Sequence, residues 1–120
     1  VGLQKALRVE AALVKAQALG TLHTDTYQNI DGSPRCSLGH ALTALGIGDL
    51  NVWFKSNPLG LLDIIKVIFG TPKNEKHKTK LYELWYQVLD LNDHKRFDEA
   101  REILVGAIKE HCLDDDNFEA

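Results

Sequence analysis

The sequence predicts an all-α fold, a compact bundle of about five helices. Three observations predict it. Apolar residues recur at spacings of three and four in five separate segments. Glycine, proline or a polar cluster interrupts the chain between those segments. The chain has 120 residues, enough for one hydrophobic core without covalent staples.

The first helix is expected over residues 2–19. Leu3, Ala6, Leu7, Ala11, Val14 and Ala18 form its apolar face, and Gly20 supplies the stop. The alanine content suits a closely packed neighbour. Residues 21–35, "TLHTDTYQNIDGSPR", break the pattern. Asp31-Gly32 is a turn signal, so the segment reads either as a short β-hairpin or as an irregular loop. A short helix follows over 36–46, with Leu38, Ala41, Leu42 and Leu45 inward and Gly46 at its end.

"GIGDLNVWFKSNP" reads as a loop or broken helical turn anchored by Trp53 and Phe54. Residues 59–69 are almost continuously apolar. Their length and the flanking Asn57-Pro58 and Gly70-Thr71-Pro72 favour a buried helix starting near Leu59 over a strand. "TPKNEKHKTK" carries four lysines against one glutamate and reads as a solvated loop. A clear helix spans 79–91, with Leu81, Leu84, Trp85, Val88 and Leu89 on one stripe. The last helix is expected from Asp98, as N-cap, to His111, with Ala100, Ile103, Leu104, Ala107 and Ile108 inward. Residues 1–112 thus form one helical domain, and 113–120 an acidic tail.

Fourteen basic against seventeen acidic side chains give a net charge of −3, which lends no support to non-specific nucleic-acid binding. No apolar run approaches a membrane span. Glu10, Lys15 and Gln17 break any signal-peptide core. Two cysteines are too few for a disulfide framework, so reduced thiols in a cytoplasm are expected. The sequence carries no phosphate loop and no zinc-protease, nucleophile-elbow or EF-hand motif.

The stretch "RCSLGHAL" concentrates what chemistry there is. Cys36 and His40 lie one helical turn apart, and a thiol near a helix N-terminus is acidified. With Asp93, Asp49 or Asp25 brought close as orienting carboxylate they would make a cysteine-dependent hydrolase or acyltransferase. The structural alternative, which we prefer, makes Cys36 a small buried hydrophobe and Gly39 a place for close backbone approach. A zinc site from Cys36, His40, His111 and Cys112 fits poorly, because adjacent helical residues diverge by about 100°. No metal or cofactor is therefore expected. Asn92 and Asp93 read as a turn-closing and capping pair, or as a pair holding the 27–36 loop by its amides. Lys73, Lys76, Lys78 and Lys80 with His77, and the one-turn pair Tyr82 and Tyr86, offer an interaction surface.

Tyr27, Asp31-Gly32, then Cys36, Leu38, Gly39, Ala41 and Leu42, then Asn92-Asp93, together resemble a family of small domains of unknown function from actinobacteria and their phages. In that family the patterns run roughly W-C-A-L-G-A-L and W-N-D-x-x-G-R-T. Here Arg35 and Leu91 stand where aromatics are usual, His40 replaces a small residue, and only Arg96 survives from G-R-T. The resemblance implies a helical domain in a bacterial or phage setting with no assigned activity, and a Cys36–His40 pair that the family does not share. "KRFDEAREILVGAI" is also similar to the second helix of a tetratricopeptide repeat through Phe97, Ala100, Leu104 and Ala107, but a single copy builds no solenoid. The expected function is a small non-enzymatic protein-interaction or regulatory module. Its partner would be another protein, and its oligomeric state is left open.

Overall fold

The computed structural model describes residues 2–112, so the acidic tail expected at 113–120 lies outside the described residues. Six α-helices follow in order: α1 (Gly2–Ala18), α2 (Ser37–Ala44), α3 (Leu50–Ser56), α4 (Leu61–Phe69), α5 (Glu75–Asp93) and α6 (Phe97–His111). The all-α bundle is as the periodicity predicts, with one helix more than the five expected. Its Cα radius of gyration of 13.1 Å suits a single packed domain.

α1 and α6 run antiparallel. Arg101 on α6 donates to Gln17 Oε1 at 2.8 Å, while a Cβ on Gly2 would lie 2.9 Å from the Cys112 carbonyl at the opposite end. α5 packs on the other side of α6, and short α2 touches α1, α4, α5 and α6. Leu38, Ala41 and Leu42 of α2 therefore meet Val9 and Leu13 of α1, Ile64, Ile65 and Ile68 of α4, Leu81 and Trp85 of α5, and Leu104 and Ile108 of α6 in one core. α2 has only eight residues, too short to persist alone; packing against α1, α4, α5 and α6 holds it helical.

Several boundaries differ from the sequence expectation, each for a local reason. Residues 50–56 are a helix because Asp49 caps it, its carboxylate accepting from the amides of Asn51 and Val52. α4 begins at Leu61, two residues past Leu59, where Gly60 takes a positive φ of 61°. The lysine-rich stretch is largely helical. Asn74 caps α5 by accepting from the His77 amide at 2.8 Å, and Glu75 sits favourably in the first turn. Lys76, Lys78 and Lys80 thus stand on a helix rather than in a loop. α6 starts at Phe97. Arg96 occupies the N-cap with no side-chain cap bond, and Asp98, expected there, lies in the first turn and pairs with Arg101 at 3.3 Å.

No hairpin forms at 21–35. Among the described residues the only β-bridge there is an isolated antiparallel one between Gln28 and Pro34, beside a further backbone bond from the His23 amide to the Arg35 carbonyl. Side chains organise the segment instead. Asp31 accepts from the Ser33 amide and hydroxyl, Asn29 donates to Ser33 Oγ and the Pro34 carbonyl, and Arg35 Nε donates to the Thr24 carbonyl at 2.9 Å. Short polar residues that satisfy the backbone locally displace a ladder that would need partners on both strands.

The largest departure concerns α1. Of the apolar face expected to point inward, only Ala6 is buried. The helix buries Gly2, Lys5, Ala6, Val9, Leu13 and Ala16, and turns the rest of that face outward. Lys5 can face inward because its ammonium donates to the Val67 carbonyl at 3.0 Å, while its stem fills apolar space.

Candidate functional site

Cys36, Gly39, Asn92 and Asp93 come together in one cradle. Cys36 is the N-cap of α2, with Sγ accepting from the Gly39 amide at 3.4 Å, and it is 1% exposed. Burial pushes the thiol up to about 11, despite the amides of Gly39 and Leu38 directed at the sulfur. His40, one turn on, gives its Nε2 to the Thr21 carbonyl at 3.1 Å, and burial of the ring lowers its pKa. Asp93 does not orient His40; its carboxylate accepts from the Asp25 amide at 3.2 Å at the surface. The three residues proposed for nucleophilic chemistry thus bond to three different backbone groups.

Asn92, 1% exposed, links the pieces. Its Oδ1 accepts from the amide and hydroxyl of Ser37, at 3.0 and 2.6 Å, and its Nδ2 donates to the His23 carbonyl at 3.1 Å. The first amide of α2 has no intrahelical acceptor, so the end of α5 caps it from 55 residues away. Gly39 meets the loop on the other side. A Cβ there would fall 1.9 Å from the Tyr27 carbonyl oxygen, which accepts from the Arg35 amide. The Tyr27 ring lies 5.4 Å from Phe54, nearly parallel, and 5.5 Å from Trp85; burial raises its hydroxyl to about 12.

The far edge of the loop is pinned to α3. Asn51 donates to the Ile30 carbonyl and accepts from Gln28, and Gly32, at φ 85°, lies so close to Asp49 that a Cβ would meet its carboxylate at 2.3 Å. Asn51 and Ser37 carry no signal of these contacts in the sequence, and Asp49, a candidate carboxylate for His40, instead caps α3. For Asp49, the N-cap position before "LNVWF" was the available signal.

The proposed interaction surface divides in two. Lys73 and Lys76 line a cleft between the start of α5 and the end of α6. Lys78, Tyr82 and Tyr86 lie on the other flank of α5, where Lys78 pairs with Glu75 at 3.3 Å, Tyr82 packs against the core and Tyr86 is exposed. Neither His111 nor Cys112 approaches Cys36 and His40 as a ligand set: among the described residues, no group of three or more His, Cys, Asp or Glu is placed to hold a metal ion. None of the described helices is long and apolar enough to cross a membrane.

The outward face of α1 gathers several of the exposed large hydrophobic residues. Leu3 is 58% exposed, Leu7 52%, Val14 48% and Leu19, just past the helix, 66%. Exposed Ala11 and Ala18 complete the stripe, at spacings of three and four. By helical geometry Gln4, Arg8 and Lys15 border it on one side, and Glu10 and Gln17 on the other. Comparison with family models, curated proteins and solved structures finds no match.

Proposed function

We propose that the protein is a small non-enzymatic interaction module that docks a helix of another protein on α1. One observation carries this reading: α1 has two apolar faces, and the domain covers only one. A stripe of Leu3, Leu7, Ala11, Val14 and Ala18 has the spacing of a face built for burial. The proposed occupant is an amphipathic helix with an acidic flank, complementary to the exposed Lys15.

The size of the patch sets the expected strength. Burying the exposed parts of Leu3, Leu7 and Val14 gives a gross gain of about 6 kcal/mol, at ~25 cal/mol per Å2. Association entropy takes back most of that, so a transient complex, millimolar or weaker, is expected from this face alone. The resemblance of the Cys36–Gly39 and Asn92–Asp93 motifs to actinobacterial and phage domains supports a bacterial or phage setting. It also supports a scaffolding duty for those residues in a cytoplasmic protein. Burial of Cys36 and the separate engagement of His40 and Asp93 weigh against the cysteine-hydrolase alternative.

The test titrates the chain with two designed helical peptides of equal apolar stripe, one flanked by glutamates and one by lysines. The acidic peptide should bind more tightly, and Leu7→Asp should abolish binding while leaving the circular dichroism spectrum and Tm unchanged. Equal binding of both peptides, or none, refutes the reading. Concentration-dependent dimerisation lost in Leu7→Asp replaces the foreign partner with a second copy.

A further inference from the structure

The cleft between α5 and α6 has a volume of about 390 Å3 and, among the described residues, gathers five basic side chains around one carboxylate. Lys76, His77 and Lys80 project from one face of α5, Lys73 comes from the turn before it, and His111 and Glu110 close it from the end of α6. The imidazoles of His77 and His111 lie 5.4 Å apart, tilted by 32°. His77 Nδ1 accepts from the Lys73 amide at 3.0 Å, so the neutral ring carries its proton on Nε2. His111 Nε2 is buried without a hydrogen-bond partner, 3.8 Å from the Glu110 carboxylate. A buried polar atom left without a partner is uncommon in a well-packed protein.

Two imidazoles so close suggest either a cation held between them or an anion that both contact. Among the described residues a metal finds no set of three ligands here, and it would sit among three ammonium groups. An anion matches every donor present. We propose that this cleft binds a phosphoryl group, with Lys76 and Lys80 supplying charge and the His77 and His111 imidazoles supplying N–H donors. A phosphoryl dianion offers three acceptor oxygens, enough for two lysines and two histidines at once. Glu110 is largely exposed and swings away when the anion enters.

The cleft also couples binding to protonation. Burial lowers the pKa of His111, and the charges of His77, Lys80 and Lys73 lower it further, while Glu110 opposes them. No charged side chain of α1, which also packs on α6, lines the cleft. A bound dianion neutralises the opposing cations and draws a proton onto His111, so binding tightens as pH falls.

The experiment is an NMR titration of the full chain at constant ionic strength, with sulfate, inorganic phosphate and phenyl phosphate as probes. Sulfate keeps its charge across the pH range, so any pH dependence of its affinity belongs to the protein. Saturable shifts should be confined to residues 73–80 and 109–112. Sulfate affinity should rise several-fold from about pH 8 to about pH 6, and one coupled proton permits at most about tenfold per pH unit. Lys76→Gln with Lys80→Gln, both exposed, should weaken binding at least several-fold, and His111→Gln should flatten the pH profile. Tighter binding of phenyl phosphate than of inorganic phosphate identifies a phosphate ester as the source, and the reverse identifies the free ion. Non-saturating shifts spread equally over Lys55, Lys66 and Lys95, or a pH profile unchanged in His111→Gln, would overturn the proposal.

Discussion

Replacing Asn92 by alanine should unfasten α2 from the end of α5. The side chain supplies one acceptor to two buried donors of Ser37 and one donor to the His23 carbonyl. After Asn92→Ala the His23 carbonyl, on an exposed residue, finds water at little cost. The Ser37 amide cannot turn away, because it is the first amide of α2 and has no intrahelical acceptor. Its hydroxyl, 1% exposed with the rest of the residue, is stranded beside it. Two orphaned buried donors cost about 1–3 kcal/mol each, and alanine's better helix propensity returns about 0.5 kcal/mol. The net loss is then about 3 kcal/mol out of a total of roughly 5–15 kcal/mol. With an unfolding entropy of about 0.25 kcal/mol per kelvin for a chain this long, Tm should fall by about 12 °C. Urea titration followed by circular dichroism, paired with calorimetry, measures both figures. A double-mutant cycle with Ser37→Ala should give a coupling energy of about 1 kcal/mol or more. A loss below about 1 kcal/mol, or additive single effects, would show that Asn92 merely fills space.

Gly39→Ala should cost about 2 kcal/mol net: overpacking against the Tyr27 backbone outweighs the gain of about 1 kcal/mol in helix propensity. A variant as stable as the parent in the same urea titration would remove the close-approach role of this glycine. Cys36 should resist iodoacetamide at pH near 8 in the folded protein and react on unfolding, as mass spectrometry of timed samples would record; fast native alkylation would revive a reactive thiol. The thiol titrates from the usual 9.0 when unfolded and at about 11 when folded, so the unfolded state releases its proton first. Its contribution is therefore fully present below pH 9 and lost between there and pH 11, by up to about 2–3 kcal/mol. Cys36→Ala should flatten that part of the profile in alkaline unfolding curves, and an unchanged slope would contradict the assignment.

What the sequence made legible depended on the range of the interaction that decides each feature. Core stripes on α5 and α6 follow from a single helical period, and Leu81, Trp85, Val88, Ala100, Leu104 and Ile108 are buried as their spacing predicts. The cradle was half legible. "Cys-x-x-Gly" marked a close approach, and Asn92-Asp93 marked a clamp, but one that grips His23, Asp25 and Ser37, on either side of the expected 27–36 loop, rather than that loop's own amides. The acceptors and donors they reach, Ser37, His23 and Asp25, lie 55 to 69 residues away and carry no local signature. The start of α5 was missed because four lysines read as solvated chain, whereas lysine is a good helix former and Asn74 with Glu75 gives the helix a capped, acidic beginning.

The face of α1 turned on a different kind of ambiguity. Two stripes compete on this helix. One, with Leu3, Leu7 and Val14, holds much of the apolar bulk; the other, with Ala6, Val9, Leu13 and Ala16, is smaller but flatter. Periodicity scores bulk and selects the first. Packing against α6 and α2 rewards close approach, and small side chains allow it, as at Gly2, where even a methyl group would strike the Cys112 carbonyl. The domain therefore takes the small-residue face, and the bulky face is left outside. Leucines more than half exposed on their own domain make a distinct prediction. Leu3→Ser and Leu7→Ser should each change unfolding free energy by less than about 0.5 kcal/mol, whereas Leu13→Ala should cost about 2–5 kcal/mol. If the two outward serine variants lose stability comparable to Leu13→Ala, the bulky face is covered within the chain, and α1 offers no free surface to a partner.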